Sequence, residues 1–416
     1  TNTLGADLQL GDWFLEARTN FTKTENDVFL PLPYSLYGAA VASYDVTDIN
    51  YPLVTLAPGT SLNDIDYGYE MLLVYGSALS IDSLQFKLDA ETDFTFAGHN
   101  NTFKMGLGHD QREAHGYGTN GGMGSLYGIN PSDYVTDQAW HTDFTNSING
   151  TYFDNKQLRA DLESASGGLT VTPDNASKIN IDENITTAYA MVTNQFKWGS
   201  LVSEVRIEST DYTSSGPEGE HSDTFTEVLP SVNLNVDLSD QVKFRAALST
   251  GMSRPTYNEW RASASIDTTE QTISGGNPFL EAESSYGADM SLEWYAGDAS
   301  LAAVGAFYRH IDDVIYADTT YVDAGNYISE FAGEQWKYTG FINGDEGHFQ
   351  GIELNFIGQA SDFISESWDG FGFSANLTLL DSEFTTLSGS SFSLPGTSDM
   401  IFNSSVYYEN DLFSAR

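Results

Sequence analysis

The residue types able to do chemistry in this 416-residue chain are mostly carboxylates and aromatic rings, for Cys is absent and there are only 7 His. Without Cys there is no disulfide framework, thiolate nucleophile or zinc-thiolate site. Neither H-E-x-x-H nor G-x-S-x-G occurs, so neither a zinc-protease helix nor a hydrolase elbow is supported. Gly116–Gly121 reads GYGTNG and matches G-x-G-x-x-G. That fingerprint works only when a strand precedes it and a helix follows, so that phosphate meets a helix N-terminus. A Gly-rich loop follows here, so no nucleotide cofactor is expected. His109 and His115 are six residues apart, wider than metal spacing favours, and read as a strand end and a loop tip. The pairs Asp182-Glu183, Asp312-Asp313 and Asp345-Glu346 arise easily among 59 acidic residues. Catalysis is not expected from them. Calcium in the loops is conceivable because oxygen ligands abound, but no D-x-[DN]-x-[DN]-G-x₅-E loop occurs. The expectation is therefore no enzyme, no resident metal and no cofactor.

A binding role is better motivated. Long polar segments interleave rings with amides and acids: Tyr127, Tyr134 and Trp140; then Tyr257, Asn258, Trp260 and Arg261; then Tyr316, Tyr321, Tyr327, Phe331, Trp336 and Tyr338. Rings that stack on a ligand, with carboxylates and amides accepting its hydroxyl hydrogens, would suit a neutral oligosaccharide. Any one of these rings is more simply explained as packing the loops together, so the set carries the idea. The candidates singled out are Trp140, Tyr257, Trp260, Arg261, Tyr327 and Trp336.

The elements that must hold these loops show period-2 alternation, which places successive side chains on opposite faces of a strand. Leu84, Phe86, Leu88 and Ala90 alternate with Gln85, Lys87, Asp89 and Glu91; Val242, Phe244, Ala246 and Leu248 alternate with Lys243, Arg245, Ala247 and Ser249. The pattern recurs along the chain, clearly at 13–21, 201–208, 288–295, 352–356 and 371–379, which predicts about a dozen strands. Short turns near 98–101, 197–199, 238–240, 297–299 and 409–411, with a medium one at 361–369, alternate with long excursions over 23–82, 113–184, 252–285, 312–347 and 383–397, and a shorter one near 212–223. All long loops then lie at one end. One-sided inflation of this kind is the pattern of an outer-membrane β-barrel. Soluble sandwiches lack it. Trp13, Phe94, Trp198, Trp294, Tyr295, Tyr308, Phe371, Tyr407 and Tyr408 sit near strand ends, as girdle residues do. Lys104, Glu204, Arg206, Glu208, Lys243, Arg245, Asp289 and Glu293 share the polar parity and would face a lumen. A Lys or Arg facing lipid at the midplane costs about 2–4 kcal/mol.

With 17 basic residues, the formal net charge is −42. This excludes nucleic acid as a partner, because phosphate binding needs a basic stripe. With 25 Phe, 23 Tyr and 7 Trp to bury, disorder is excluded too. No run of about 18 apolar residues offers a transmembrane helix. The first ten residues and the last four read as strand fragments, so a piece of a larger barrel is expected, incomplete within 1–416.

Several stretches resemble TonB-dependent outer-membrane receptors, in particular the branch typified by Xanthomonas and Caulobacter relatives. LPSVNLNVDLSDQVKFRAALSTGMSRPTYNEW (Leu229 to Trp260) is similar to that family's strand–turn–strand followed by an Arg-Pro pair, here Arg254-Pro255. GGNPFLEAESSYGADMSLEWY resembles the Gly-Asn-Pro-x-Leu segment, with Asn277-Pro278, that feeds the next strand. LAAVGAFYRHIDDVI, GHFQGIELNF and LPGTSDMIFNSSVYYEN follow in the family's order. The likeness covers about 183–416, and 1–112 more loosely. It implies a 22-stranded barrel with an N-terminal plug, neither plug nor TonB box being recognisable here. It also implies a Gram-negative outer-membrane location, contact with membrane lipid, and energised uptake of a small-molecule nutrient through TonB. Acidic loops repel anionic siderophores, which leans the expectation to an oligosaccharide over an iron chelate, and a salt-water habitat would screen such loops. A passive porin or adhesin and a soluble glycan binder are the competing classes.

Overall fold

The computed structural model describes residues 1–36, 41–47, 53–59, 69–119, 122–124, 128–129, 131–139, 151–166, 173–217, 219–297 and 299–416. Two compact units divide the chain: residues 1–24, 81–115 and 179–416 form one, and residues 25–80 and 116–178 the other.

The larger unit is built on an antiparallel sheet whose strands follow chain order, with five of the neighbouring pairs enclosing excursions that carry shorter strands of their own. One continuous run of it comprises Ile179–Phe196, Gly199–Gly216, Gly219–Asp237, Val242–Ser253, Glu283–Ala296, Ser300–Asp312, Glu346–Gln359, Phe371–Thr385 and Met400–Glu409. Cross-strand register explains why alternation works as a code. One row of directly opposed residues reads Leu201, Leu234, Ala246, Met290, Ala306, Ile352, Leu379, Met400. A neighbouring row reads Ser200, Asn235, Arg245, Ser291, Gly305, Glu353, Thr378. One face is thus apolar and the other polar across the strands.

The apolar face is the exposed one: Ile207 is 46%, Leu248 63%, Met290 54% and Phe402 61% accessible. On the opposite face of the same sheet Glu208, Thr210, Tyr212 and Ser214 are buried. This inverts the soluble-protein rule, with apolar side chains outward and polar ones inward, the arrangement of a β-barrel of the outer-membrane type. Trp198, Trp294, Tyr308 and Phe371 remain exposed, as expected of an interfacial girdle, whereas Tyr295 shares the polar parity of Glu293 and donates to it at 2.6 Å, against the girdle expectation.

Short turns use special backbone geometry. The two residues between strands Tyr69–Phe96 and His99–Gly118 are Ala97 (φ 52°) and Gly98 (φ 78°), positive at both positions as a type I′ hairpin requires. Gly216 answers a different need: a Cβ there would lie 1.7 Å from the Ala262 carbonyl oxygen, so only Gly lets the 254–282 loop lie against the strand.

The long excursions depart from expectation. Residues 252–285 and 312–347 read as irregular loops, yet Ala264–Asp267, Thr272–Gly275, Gln335–Asn343 and Ile315–Asp323 pair into a second four-stranded sheet. Its core holds Ile273, Val314, Tyr316, Tyr327, Trp336, Tyr338 and Ile342. The 212–223 segment is no loop, since Gly199–Gly216 and Gly219–Asp237 stay paired to Gly216↔Gly219. In the smaller unit, within the expected 113–184 loop, Asn155–Ser166 is an α-helix. Leu158 and Leu162, spaced i, i+4, bury one stripe of it against Phe29, Ile129 and Tyr134.

Candidate functional site

The polar face of strands His99–Gly118, Ile179–Phe196 and Gly199–Gly216 carries a dense group of charges at the foot of the 254–282 loop. Arg254 is its centre. As the first residue beyond the Val242–Ser253 strand, it is aimed back across the sheet, and its guanidinium pairs with Glu208 and lies 3.3 Å from Glu183 Oε1. Its Nε also donates to Thr210 Oγ1 at 3.0 Å. Arg206 pairs with the other oxygen of Glu208. Arg112 donates to Asp110 Oδ2 at 2.7 and 2.9 Å and approaches Glu183 Oε2 at 3.5 Å, where the Tyr257 hydroxyl donates at 3.1 Å. Glu183 and Glu208 are almost wholly buried. Removed from water, each needs the partners it has. Burial, and then the nearby Glu183 charge, push the Tyr257 phenol up to about 12. Arg112, Arg206, Glu208 and Arg254 line a cavity of about 170 Å³ with Lys87, His109, Thr187 and Tyr189.

Beyond Arg254 the loop is tied down residue by residue. Pro255 is buried, and Thr256 caps the short Tyr257–Trp260 helix in a capping box with Glu259. Trp260 is fully buried and its Nε1 donates to the Leu280 carbonyl at 2.9 Å. Ser214 Oγ donates to the Trp260 carbonyl at 2.8 Å. Asn277 accepts a hydrogen bond from the Phe279 amide and donates to the Phe341 carbonyl at 3.0 Å, while the Tyr212 hydroxyl donates to the Pro278 carbonyl at 2.7 Å. The motif residues thus fasten the loop separately: Arg254 to the polar-face carboxylates, Asn277 to the Phe341 carbonyl and Pro278 to the Tyr212 hydroxyl.

The candidate aromatic residues fall into different places. Trp336 is 1% accessible, Tyr338 0% and Tyr327 9%, all within the second sheet's core. Burial raises the Tyr338 phenol to about 12. Tyr327 nonetheless borders a cleft of about 90 Å³ with Pro278, Phe279, His221 and Asn326. Tyr257 and Arg261 are half-buried, and Arg261 donates to the Asn258 carbonyl at 2.5 Å and to its side-chain oxygen at 2.6 Å. Trp140 and Tyr127 lie outside the described residues. His109 and His115 have separate partners, Thr186 and Asn180. GYGTNG opens on the end of a strand, Gly116–Gly118, and its last two residues lie outside the described ones.

A second wall lies elsewhere on the polar face, where the sequence parity named Arg245 and Asp289 but not the recess they join. Asn233, Asn235, Arg245, Asp289, Ser291 and Glu353 border a recess of about 320 Å³. Arg245 bridges Glu293 (2.9 Å) and Asn235 Oδ1 (2.6 Å), and Arg309 reaches Asp289 and Ser249. The polar parity was the available signal, but it does not say which strands adjoin. Both walls are rich in amides and carboxylates. They are fit to hydrogen-bond a hydroxylated ligand.

No curated protein sequence matches this chain. Solved structures do. The FpvAI–pyocin S2 complex superposes with a TM-score of 0.57 at 12% identity, covering 99% of this chain and 44% of that one. The ferric-catecholate import receptor Fiu from E. coli K12, in its closed form, gives 0.56 at 12% identity, covering 99% and 51%. The ferric citrate transporter FecA, unliganded, gives 0.56 at 10%, covering 99% and 47%. At such identities the likeness concerns the fold, and this chain spans about half the length of those chains. The model of the family described as TonB dependent receptor-like, beta-barrel matches residues 5–415. By that match over nearly its whole length, this chain belongs to the TonB-dependent receptor β-barrel family, transporters and receptors of the Gram-negative outer membrane.

Proposed function

We propose that this chain forms barrel wall of an outer-membrane importer that takes up a neutral polyhydroxylated nutrient, an oligosaccharide, with energy supplied through TonB. One observation carries the substrate class. On the polar face Lys87, Lys104, Arg112, Arg206, Arg245, Arg254 and Arg309 each lie against a carboxylate. An anionic iron chelate entering along this wall would have to break such pairs. A sugar would find amide and carboxylate acceptors already in place, as in the recess bordered by Asn233, Asn235 and Glu353.

Within this reading Tyr257, Arg261 and Tyr327 meet the ligand, and Trp140 is carried as a further contact. Trp260 and Trp336 hold the loops in shape from beneath. The Arg254-Pro255 and Asn277-Pro278 pattern aligns the chain with the Xanthomonas/Caulobacter-type branch. A salt-water habitat suits its acidic surface, because screening there confines repulsion to under about 10 Å.

Growth of a deletion strain tests the proposal. Loss of growth on one class of oligosaccharide, restored by the intact gene, together with uptake of that sugar that a proton uncoupler abolishes, is the expected result. Loss confined to iron limitation would overturn the sugar assignment in favour of a ferric chelate. Uptake indifferent to the uncoupler would make the protein a passive pore.

A further inference from the structure

We propose that His310, Asp312 and Glu346 form a binding site for a divalent cation of the Zn2+ class at the long-loop end of the apolar face. The backbone creates the site. Strands Ser300–Asp312 and Glu346–Gln359 end their ladder on the directly opposed pair Asp312↔Glu346, and His310 lies two residues down on the same face. The Asp313 amide donates to the Asp345 carbonyl at 3.0 Å and closes the chain just beyond, so the two carboxylates are held opposite each other. Like charges opposed across a ladder are destabilising. A cation between them turns that liability into a ligand set.

The distances suit such an ion. His310 Nε2 is 3.1 Å from Asp312 Oδ1 and 3.5 Å from Glu346 Oε2, and all three ligand atoms fall within 4.8 Å of one another. Tetrahedral zinc with bonds of about 2.0–2.1 Å separates its ligand atoms by about 3.3 Å. The two imidazole–carboxylate spacings already match, and closing the third asks only for a carboxylate rotation. The site has the mobility for it in the right place. The His310 side chain is 13% accessible and packs against the Tyr286 ring at 4.8 Å, whereas those of Asp312 and Glu346 are 50% and 64% accessible. A fixed nitrogen and two adjustable oxygens converge, leaving a fourth position for water or for an oxygen of a lipid headgroup.

The donor set selects the ion. An imidazole nitrogen favours Zn2+ and its neighbours over Ca2+ and Mg2+, which prefer an all-oxygen shell with more ligands. A protonated His310 held between two carboxylates is the rival arrangement, and it binds no metal.

Calorimetric titration of the untagged protein, purified in detergent and stripped with EDTA, decides between them. The expected result is one Zn2+ per chain at neutral pH, bound at least tenfold more tightly than Ca2+. His310→Ala and Glu346→Gln should each weaken Zn2+ at least tenfold while His221→Ala leaves it unchanged, and Co2+ should give an absorption spectrum that His310→Ala alters. Heat-modifiable gel mobility reports that each variant is folded. Absence of Zn2+ binding, native affinity in folded His310→Ala, or equal affinity for Ca2+ would overturn the proposal.

Discussion

Tyr212 and Trp260 stack with ring centroids 4.1 Å apart and planes 14° from parallel. Tyr212 belongs to the strand wall and Trp260 to the loop that follows Arg254-Pro255, so this stack is where the long loop is fastened to the sheet. It also explains why a ring expected to face a ligand faces the protein. A flat aromatic beside amides and acids has the same composition whether it stacks on a sugar or on a neighbouring tyrosine. The stack is closed off by Ser214, the Leu280 carbonyl and the Pro278 carbonyl.

Replacing Trp260 with Ala removes that fastening. Truncating a buried Trp costs about 3–5 kcal/mol, and here the cost falls on the loop rather than on the strands. Limited proteolysis of the purified protein should cut Trp260→Ala between residues 254 and 282 at concentrations that leave the native loop intact, with gel mobility of the folded barrel unchanged. Trp260→Phe should be cut at an intermediate rate. Equal resistance in all three would show that the stack does not hold the loop.

Arg254 is expected to matter through the acids it neutralises. Its loss leaves Glu208 without one of its two cations and Glu183 facing Arg112 alone, both nearly buried. Removing one partner of a buried pair costs about 3–5 kcal/mol, more than the pair contributes over apolar replacements. Arg254→Met should therefore unfold at markedly lower urea concentration in lipid vesicles, and Arg254→Met combined with Glu208→Gln should recover part of the loss. If the double variant is as unstable as the sum of the singles, the pair is not coupled.

Face alternation was legible in the sequence because it depends only on neighbours two apart, so Leu84, Phe86 and Leu88 declared an apolar face without any knowledge of partners. The one-sided loops were legible for the same local reason. The second sheet was not. Ala264–Asp267 and Thr272–Gly275 are four residues each, too short to show a period, and Thr272–Gly275 pairs in parallel with a strand more than sixty residues on. The Arg254 cluster was half legible. Arg206 and Glu208 shared a parity, but the meeting of Arg254 with Glu208 and Glu183, and of Glu183 with Arg112, depends on register across several strands. In the sequence Asp312 and Glu346 belong to two unrelated acidic pairs and His310 to neither, because Glu346 lies 34 positions beyond Asp312 and only the ladder brings them together.

The apolar face yields a depth-dependent prediction. Val205 is 43% accessible on that face, midway between the short turn at 197–198 and the buried end of its strand, and its neighbour Glu204 has the opposite parity. Val205→Arg should cost about 2–4 kcal/mol in folding free energy in vesicles, the figure for a cation at the bilayer midplane. Asn233→Arg, on the polar face, should cost well under half as much. Equal penalties would mean that the two faces meet similar surroundings, which the lipid assignment forbids.

The last prediction concerns alkaline pH. Tyr257 and Tyr338 lie outside the wall strands, and burial pushes both phenols up to about 12, against about 10 for an exposed tyrosine. A group whose folded pKa exceeds its unfolded one keeps its proton longer when folded. Between pH 10 and 12 the unfolded chain therefore holds fewer protons than the native one, and stability falls as pH rises through that window. Below pH 10 the two residues add no pH dependence. Absorbance at about 295 nm should show fewer phenols ionising near pH 10 in the native protein than in urea, and Tyr257→Phe and Tyr338→Phe should each narrow that difference by one phenol. The Tyr257→Phe variant should also lose less stability than the native protein between pH 10 and 12. An unchanged alkaline slope in that variant would place the Tyr257 hydroxyl in water rather than against Glu183.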